Sequence, residues 1–216
     1  MSAMYIAKRV RPDILCPISF LSTRVQNPTE DDWSKLQRVL QYVKATKELT
    51  ASLEPNFDLE LFAYVDASYA VHDDAKSHGG IFMTLGKGPI YVQSRKHKIV
   101  TKSSTESELV TATDATATIA WVRDWLIGQG YDMGPAIMFQ DNKSAMILSE
   151  RGKGTSQRTR HINVRYFFIK DRIENKELKL RYCETLKMLA DILTKPLQGS
   201  LFRELRDAIL NHSHNV

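Results

Sequence analysis

The chain has 216 residues, 43% of them hydrophobic and 25% charged, an ordinary soluble globular composition long enough for one large domain or a domain with an appendage. No apolar run approaches the ~18 residues of a membrane span, and Met1-Ser2-Ala3-Met4-Tyr5 has no apolar signal core. No membrane partner is expected, and the expected setting is intracellular, in cytoplasm or nucleus. Cys16 and Cys183 are the two cysteines, too few and too far apart for a disulfide framework or a thiolate metal site. The net charge of +5 is unevenly spread. No acid falls between Asp74 and Glu106, where Lys76, Lys87, Arg95, Lys96, Lys98 and Lys102 lie. None falls between Arg151 and Lys170, a stretch that also holds Lys153, Arg158, Arg160 and Arg165. Two such stretches suit a polyanionic partner as well as a plain solvated surface.

Along the chain, residues 1–55 read as a helical appendage. Thr29 is a cap-type residue followed by Glu30, Asp31 and Asp32, and Trp33, Leu36, Val39, Leu40 and Val43 recur at helical spacing. Leu53-Glu54-Pro55-Asn56-Phe57 breaks that pattern and sets a boundary near residue 55. Three strand-like runs follow with short loops, Leu59 to Val65 ending at Asp66, Gly79 to Leu85, and Ile90 to Ser94, as expected of an antiparallel meander. A long helix is expected from Ser104 to Ile127, stopped by Gly128. Ala136 to Gln140 is a fully apolar fourth strand ended by Asp141. A short helix from Ser144 to Glu150, a loop from Arg151 to Arg160 and a helix from Ile162 to Ile173 come next. Leu178 to Cys183 alternates as a fifth strand, Leu186 to Leu193 starts another helix, and Leu201 to Leu210 is a terminal amphipathic one. This order predicts an α/β fold whose mixed sheet is flanked by helices.

Asp66, Glu108, Asp141 and Asp191 each occupy a distinct setting in this plan. Two end strands and two lie on expected helices, so one fold can gather them into a cage of hard oxygen ligands. Carboxylates that close repel one another unless divalent cations lie between them, and a pair of Mg²⁺ ions suits phosphodiester hydrolysis. Taken singly, each residue also has a plain structural reading. Asp66 fits a turn, Asp141 a helix cap, Glu108 an exposed helix position and Asp191 a helix start. Zinc-ligand spacing, a phosphate-binding glycine loop and a nucleophile elbow are all missing, which argues against deaminase, kinase and serine-hydrolase chemistry.

Several motifs carry a family resemblance. They are Tyr64-Val65-Asp66-Ala67-Ser68; Ser94-Arg95-Lys96-His97 leading to Ser103-Ser104-Thr105-Glu106-Ser107-Glu108-Leu109; Gln140-Asp141-Asn142-Lys143-Ser144-Ala145; Arg158 to Ile169; and Ala190-Asp191-Ile192-Leu193-Thr194-Lys195-Pro196-Leu197. In this order they resemble the ribonuclease H region of copia-type LTR retrotransposon polyproteins. Arg11-Pro12-Asp13-Ile14, Asn27-Pro28-Thr29, Trp33 and Arg38 to Val43 resemble the end of the same family's reverse transcriptase.

The resemblance implies a ribonuclease H-like fold whose five-stranded sheet has three antiparallel strands and then two parallel ones. It implies a reverse-transcriptase tail over 1–55, the ribonuclease H domain over 56–200 and a C-terminal helix and tail over 201–216. Asp66, Glu108, Asp141 and Asp191 would be the catalytic metal ligands, with Glu108 preferred to Glu106 because it directly precedes Leu109. The cofactor would be two Mg²⁺ ions, with Mn²⁺ able to substitute, and the reaction would be endonucleolytic cleavage of the RNA strand of an RNA/DNA hybrid. A reverse-transcriptase domain of the same polyprotein would be a partner. Ser68, Lys96, Lys102, Ser103, Ser104, Thr105, Asn142, Arg158 and Arg160 would contact nucleic acid, through phosphates and 2′-hydroxyls.

Against the family pattern, Cys183-Glu184-Thr185-Leu186-Lys187 is short and carries no histidine, His161 opens a different helix, and Asn163 stands where Asp is usual. No polymerase palm, integrase or protease segment is present, which suggests a truncated element or a domain in independent use. A remnant that only binds nucleic acid is the alternative. A DNA-cutting integrase of the same fold is disfavoured by the fourth carboxylate.

Overall fold

A computed structural model describes residues 2–152 and 160–212. Its centre is a sheet of β1 (Phe62–Ser68), β2 (His78–Thr84), β3 (Tyr91–Lys96), β4 (Ala136–Gln140) and β5 (Leu178–Tyr182). The strand order is β3-β2-β1-β4-β5. β1, β2 and β3 pair antiparallel, whereas β1–β4 and β4–β5 pair parallel. This mixed, five-stranded arrangement is the ribonuclease H-like fold that the motifs imply. A separate two-residue ladder pairs Glu54 and Pro55 with Lys87 and Gly86.

Side-chain alternation assigns the two faces of the sheet. Ala63, Val65, Ile81, Met83 and Met138 point to one face, where they bury against Leu109, Ala112, Ala115, Ile119 and Val122 of α4 (Ser104–Gly128). Tyr166 and Ile169 of α6 (Arg160–Glu174) close that cluster, and α5 (Lys143–Arg151) packs beside it. Phe82 and Val92 point the other way. They join Ala7 of α1 (Ser2–Arg9), Leu15 and Ile18 of α2 (Leu15–Ser22), and Leu205, Ile209 and Leu210 of α7 (Gly199–Leu210). Every residue of β2 is buried, because both faces of that strand are covered.

The N-terminal helices therefore share a core with the second face of the sheet. α3 (Glu30–Ala45) starts on a capping box between Thr29 and Asp32. It is tied down through Tyr42, whose hydroxyl donates to Asp13 Oδ2 at 2.7 Å. Arg11 and Asp13 form a buried pair at 2.8 Å, and Arg11 also donates to the Thr46 carbonyl at 2.8 Å.

Three elements differ from the sequence pattern. β1 begins at Phe62 and runs through Asp66 to Ser68, because Leu59 adopts a positive φ of 48° and pairing with β2 extends to Ser68 opposite His78. Asp66 thus sits inside the strand and not at its end. α4 includes Gly128, and the chain turns at Gly130, where φ is +92°. Leu186 to Leu193 is no α-helix. It forms two 3-10 turns, Thr185–Lys187 and Leu189–Leu193, separated by an extended Met188. The expected loop from Arg151 to Arg160 lies largely outside the described residues. No described helix is long and apolar enough to cross a membrane.

Candidate metal centre

Asp66 stands opposite Gly80 of β2, and Gly80 stands opposite Ser94 of β3, so these three residues form one row across the sheet. A side chain at Gly80 would collide with the turn Leu189–Leu193 and its exit. A Cβ there would lie 2.6 Å from Thr194 Cγ2, 2.9 Å from Leu193 Cβ and 3.0 Å from the Ala190 carbonyl oxygen. The missing side chain is what lets this turn settle over the row and bring Asp191, Thr194 and Lys195 to Asp66.

Glu108 arrives from the opposite side, one turn into α4. The helix is capped by Ser103, whose hydroxyl accepts the Glu106 N–H at 3.2 Å. Glu106 in turn accepts the Lys102 N–H at 2.7 Å, so it closes the helix start and leaves Glu108 to face inward. The two Glu108 oxygens accept from the Ala67 N–H at 3.3 Å and from the Gln140 side-chain amide at 3.4 Å. Asp141 follows β4, half-buried, and accepts the Thr185 hydroxyl at 3.1 Å. One oxygen each from Asp66, Glu108 and Asp141 lie within 4.8 Å of one another.

Asp191 is outside that triad but linked to it. Lys195 Nζ lies 2.8 Å from Asp191 Oδ1 and 3.4 Å from Asp66 Oδ1. The Thr194 hydroxyl donates a short hydrogen bond to Asp66 Oδ2. In the sequence, Thr194 and Lys195 stand out only as part of a motif. The four-residue spacing of Lys195 from Asp191 was the one local signal for their pairing.

Burial makes this cluster unfavourable as bare anions. Asp66, Glu108 and Asp191 are 2%, 5% and 4% exposed. Burial first, and then the Asp141 charge, raises Asp66, while Lys195 and Thr194 work against the rise. Burial, Asp66 and Asp141 hold Glu108 well above the usual carboxylate range. Burial and Asp66 push Asp191 up to about 6. Among the described residues, Lys195 is the cation paired with these carboxylates. Three converging hard oxygens with too little compensating charge are a donor set for a small divalent cation such as Mg²⁺.

No protein-family model matches the chain. The retrovirus-related Pol polyprotein from transposon RE2 of Arabidopsis thaliana is 34% identical over 204 residues, covering 94% of this chain and 14% of the relative. That from transposon TNT 1-94 of Nicotiana tabacum is 30% identical over 214 residues, covering 99% of this chain and 16% of the relative. The chain belongs to the Pol polyproteins of copia-type retrotransposons. The chain spans roughly a seventh of those Pol polyproteins, 14% and 16% of their lengths. Among solved structures, LC11-RNase H1 in complex with an RNA/DNA hybrid has a TM-score of 0.46 at 14% identity, covering 62% of this chain and 94% of that chain.

The residues that the Pol resemblance assigns to nucleic acid fall in three groups. Ser68 donates to the Thr194 carbonyl at 3.1 Å, Ser103 caps α4 and Asn142 caps α5 through the Ala145 N–H at 3.0 Å. Lys96 pairs with Asp74 at 2.9 Å, as does Lys76 at 3.0 Å, and Arg95 pairs with Asp114 at 2.6 Å. Lys102 and Ser104 are exposed and Thr105 is half-buried at the start of α4, where Lys98 is exposed nearby. Among the described residues, Lys98 and Lys102 have no ion pair. Arg158 lies outside the described residues, as do the side chains of Arg160, His161 and Asn163.

Proposed function

We propose that this chain is the ribonuclease H module of a copia-type Pol polyprotein and hydrolyses the RNA strand of RNA/DNA hybrids with divalent-metal assistance. The observation that carries this reading is the convergence of Asp66, Glu108 and Asp141 from β1, α4 and the end of β4 within 4.8 Å, in a chain whose relatives are Pol polyproteins. On this reading, Asp66, Glu108, Asp141 and Asp191 would together hold two Mg²⁺ ions, Mn²⁺ being an acceptable substitute. When bound, such a pair activates the attacking water and stabilises the leaving oxygen.

The remaining work belongs to the chain's own groups. The Gln140 amide and the Ala67 N–H hold the Glu108 carboxylate in orientation, and Thr194 and Thr185 do the same for Asp66 and Asp141. Lys98 and Lys102, exposed beside the N-terminus of α4, supply phosphate contacts that do not read sequence. Ser104 and Thr105 at the same helix start would contact the 2′-hydroxyls that separate RNA from DNA. Residues 1–55 are assigned to the tail of the polymerase, 56–200 to the nuclease and 201–216 to a C-terminal helix and tail.

The test is cleavage of a labelled RNA/DNA hybrid with Mg²⁺, with Mn²⁺ and with chelator, beside all-RNA and all-DNA duplexes. Metal-dependent cutting of the hybrid's RNA strand alone, lost in Asp141→Asn, is expected. A folded protein that binds the hybrid without cutting it would replace this reading with that of a binding remnant.

A further inference from the structure

The second face of the sheet carries a buried polar chain that the proposed chemistry does not use. Ser94 Oγ donates to the Leu193 carbonyl at 2.7 Å. That hydroxyl also lies 2.7 Å from His78 Nε2, and His78 Nδ1 lies 3.0 Å from His72 Nε2. Ser94 has one proton and spends it on Leu193, so it must accept from His78 Nε2–H. His78 Nδ1 is then bare and accepts from His72 Nε2–H. Burial, with His72 and His97 nearby, pushes His78 down to about 3, so the ring is neutral near pH 7 and holds this single tautomer. The ring of Phe20, on α2, stacks on both imidazoles, 4.6 Å from His72 and 4.3 Å from His78. Ser19, its neighbour, donates to the Ser94 carbonyl at 2.7 Å.

The chain ends at the turn that carries Asp191. Ser94 shares its row with Gly80 and Asp66, so its bond to Leu193 fixes the turn directly above the gap at Gly80. Ser68 holds the next carbonyl, that of Thr194, from the far side. We propose that Ser94 and His78 are positioning residues, which fix the turn Leu189–Leu193 so that Asp191, Thr194 and Lys195 meet Asp66. The proposal rests on the nuclease reading for the role of Asp191. It goes beyond that reading by making α2, through Phe20 and Ser19, a clamp on the centre.

The experiment compares Ser94→Ala with the unaltered chain by amide hydrogen exchange without metal, by calorimetric Mn²⁺ binding and by kcat and KM on the hybrid. Exchange at Thr194 and Lys195, whose N–H groups bond the Asp191 carbonyl, should speed by about tenfold, the size of one buried hydrogen bond. The buried amides of α4 should keep their rates. kcat should fall by about tenfold with KM within about twofold, and Mn²⁺ binding should weaken. His78→Gln, which keeps a donor toward Ser94, should lose less than His78→Leu. Unchanged exchange in the turn overturns the proposal. Equal acceleration throughout the protein also overturns it, because Ser94 would then be an ordinary core residue. An unaltered chain that does not cleave, together with selective loosening in Ser94→Ala, upholds the positioning role and overturns the nuclease reading.

Discussion

Gly80→Ala is a one-methyl wedge aimed at the centre from beneath. Gly80 has no positive φ, so alanine fits its backbone and the effect is purely one of space. The new Cβ would sit 2.6 Å from Thr194 Cγ2, against 3.4–4 Å for ordinary contact, so the turn must move by roughly 0.8 Å or more. Overpacking of this kind costs about 1–3 kcal/mol. Alanine recovers about 0.4–1 kcal/mol by restricting the unfolded chain, so the net loss should be about 1–2 kcal/mol in urea unfolding. Function should suffer more, because displacements near 1 Å at a reacting centre cost on the order of a hundredfold in rate. Cleavage of the hybrid at saturating Mg²⁺ reads that loss. Gly128→Ala is the control. A Cβ there meets nothing within 4 Å, and the helical setting favours alanine by about 0.5–1 kcal/mol. Unchanged stability and rate in Gly80→Ala would show that this gap does not seat the turn Leu189–Leu193.

Asp191 is raised from 3.8 to about 6 by burial and by Asp66, so the folded protein binds this proton more tightly than the unfolded chain does. Stability of the metal-free protein should therefore fall as pH rises from about 4 to about 6, by about 3 kcal/mol. Asp191→Asn should reduce that slope and leave the part that Asp66 and Glu108 contribute, saturating Mn²⁺ should oppose it, and urea titrations at several pH values would show whether it exists. Glu108→Gln should abolish metal-dependent cleavage, while Glu106→Gln should cost no more than the loss of a helix-start bond, about 1 kcal/mol of stability. Equal losses of activity in the two variants would count against the inward assignment of Glu108. Asp13→Ala strands the buried Arg11 guanidinium and should destabilise the protein by about 3–5 kcal/mol. A change under about 1 kcal/mol in urea unfolding would mean that the N-terminal helices contribute little to the shared core.

Much of the centre was readable because its signals are local. Asp66 and Asp141 follow apolar strand runs, and Glu108 follows a cap and a first turn whose other glutamate is spent on the Lys102 N–H. Asp191 stands out in the sequence only through its motif, and its surroundings do not show there. The Thr194–Asp66 bond joins residues 128 apart in sequence, and nothing in either segment announces it. The polar residues read as contacts for nucleic acid have a second, structural use that the sequence does not separate from the first. A polar side chain at a helix start can serve a cap or a ligand with the same residue type, and Ser103 and Asn142 cap α4 and α5.

The sequence by itself determined the order of the five strands, most of the helices and the two basic stretches, since periodicity and capping act over a few residues, and the family motifs singled out the four carboxylates. Only the tertiary structure decided which groups meet. Pairing register places Asp66, Gly80 and Ser94 in one row, and a slip of one residue would turn each to the opposite face. The 3-10 form of Leu189–Leu193 and the packing of α2 on the histidine pair follow from contacts made once that row exists. These interactions depend on distance in space and not along the chain, so no window of sequence contains them.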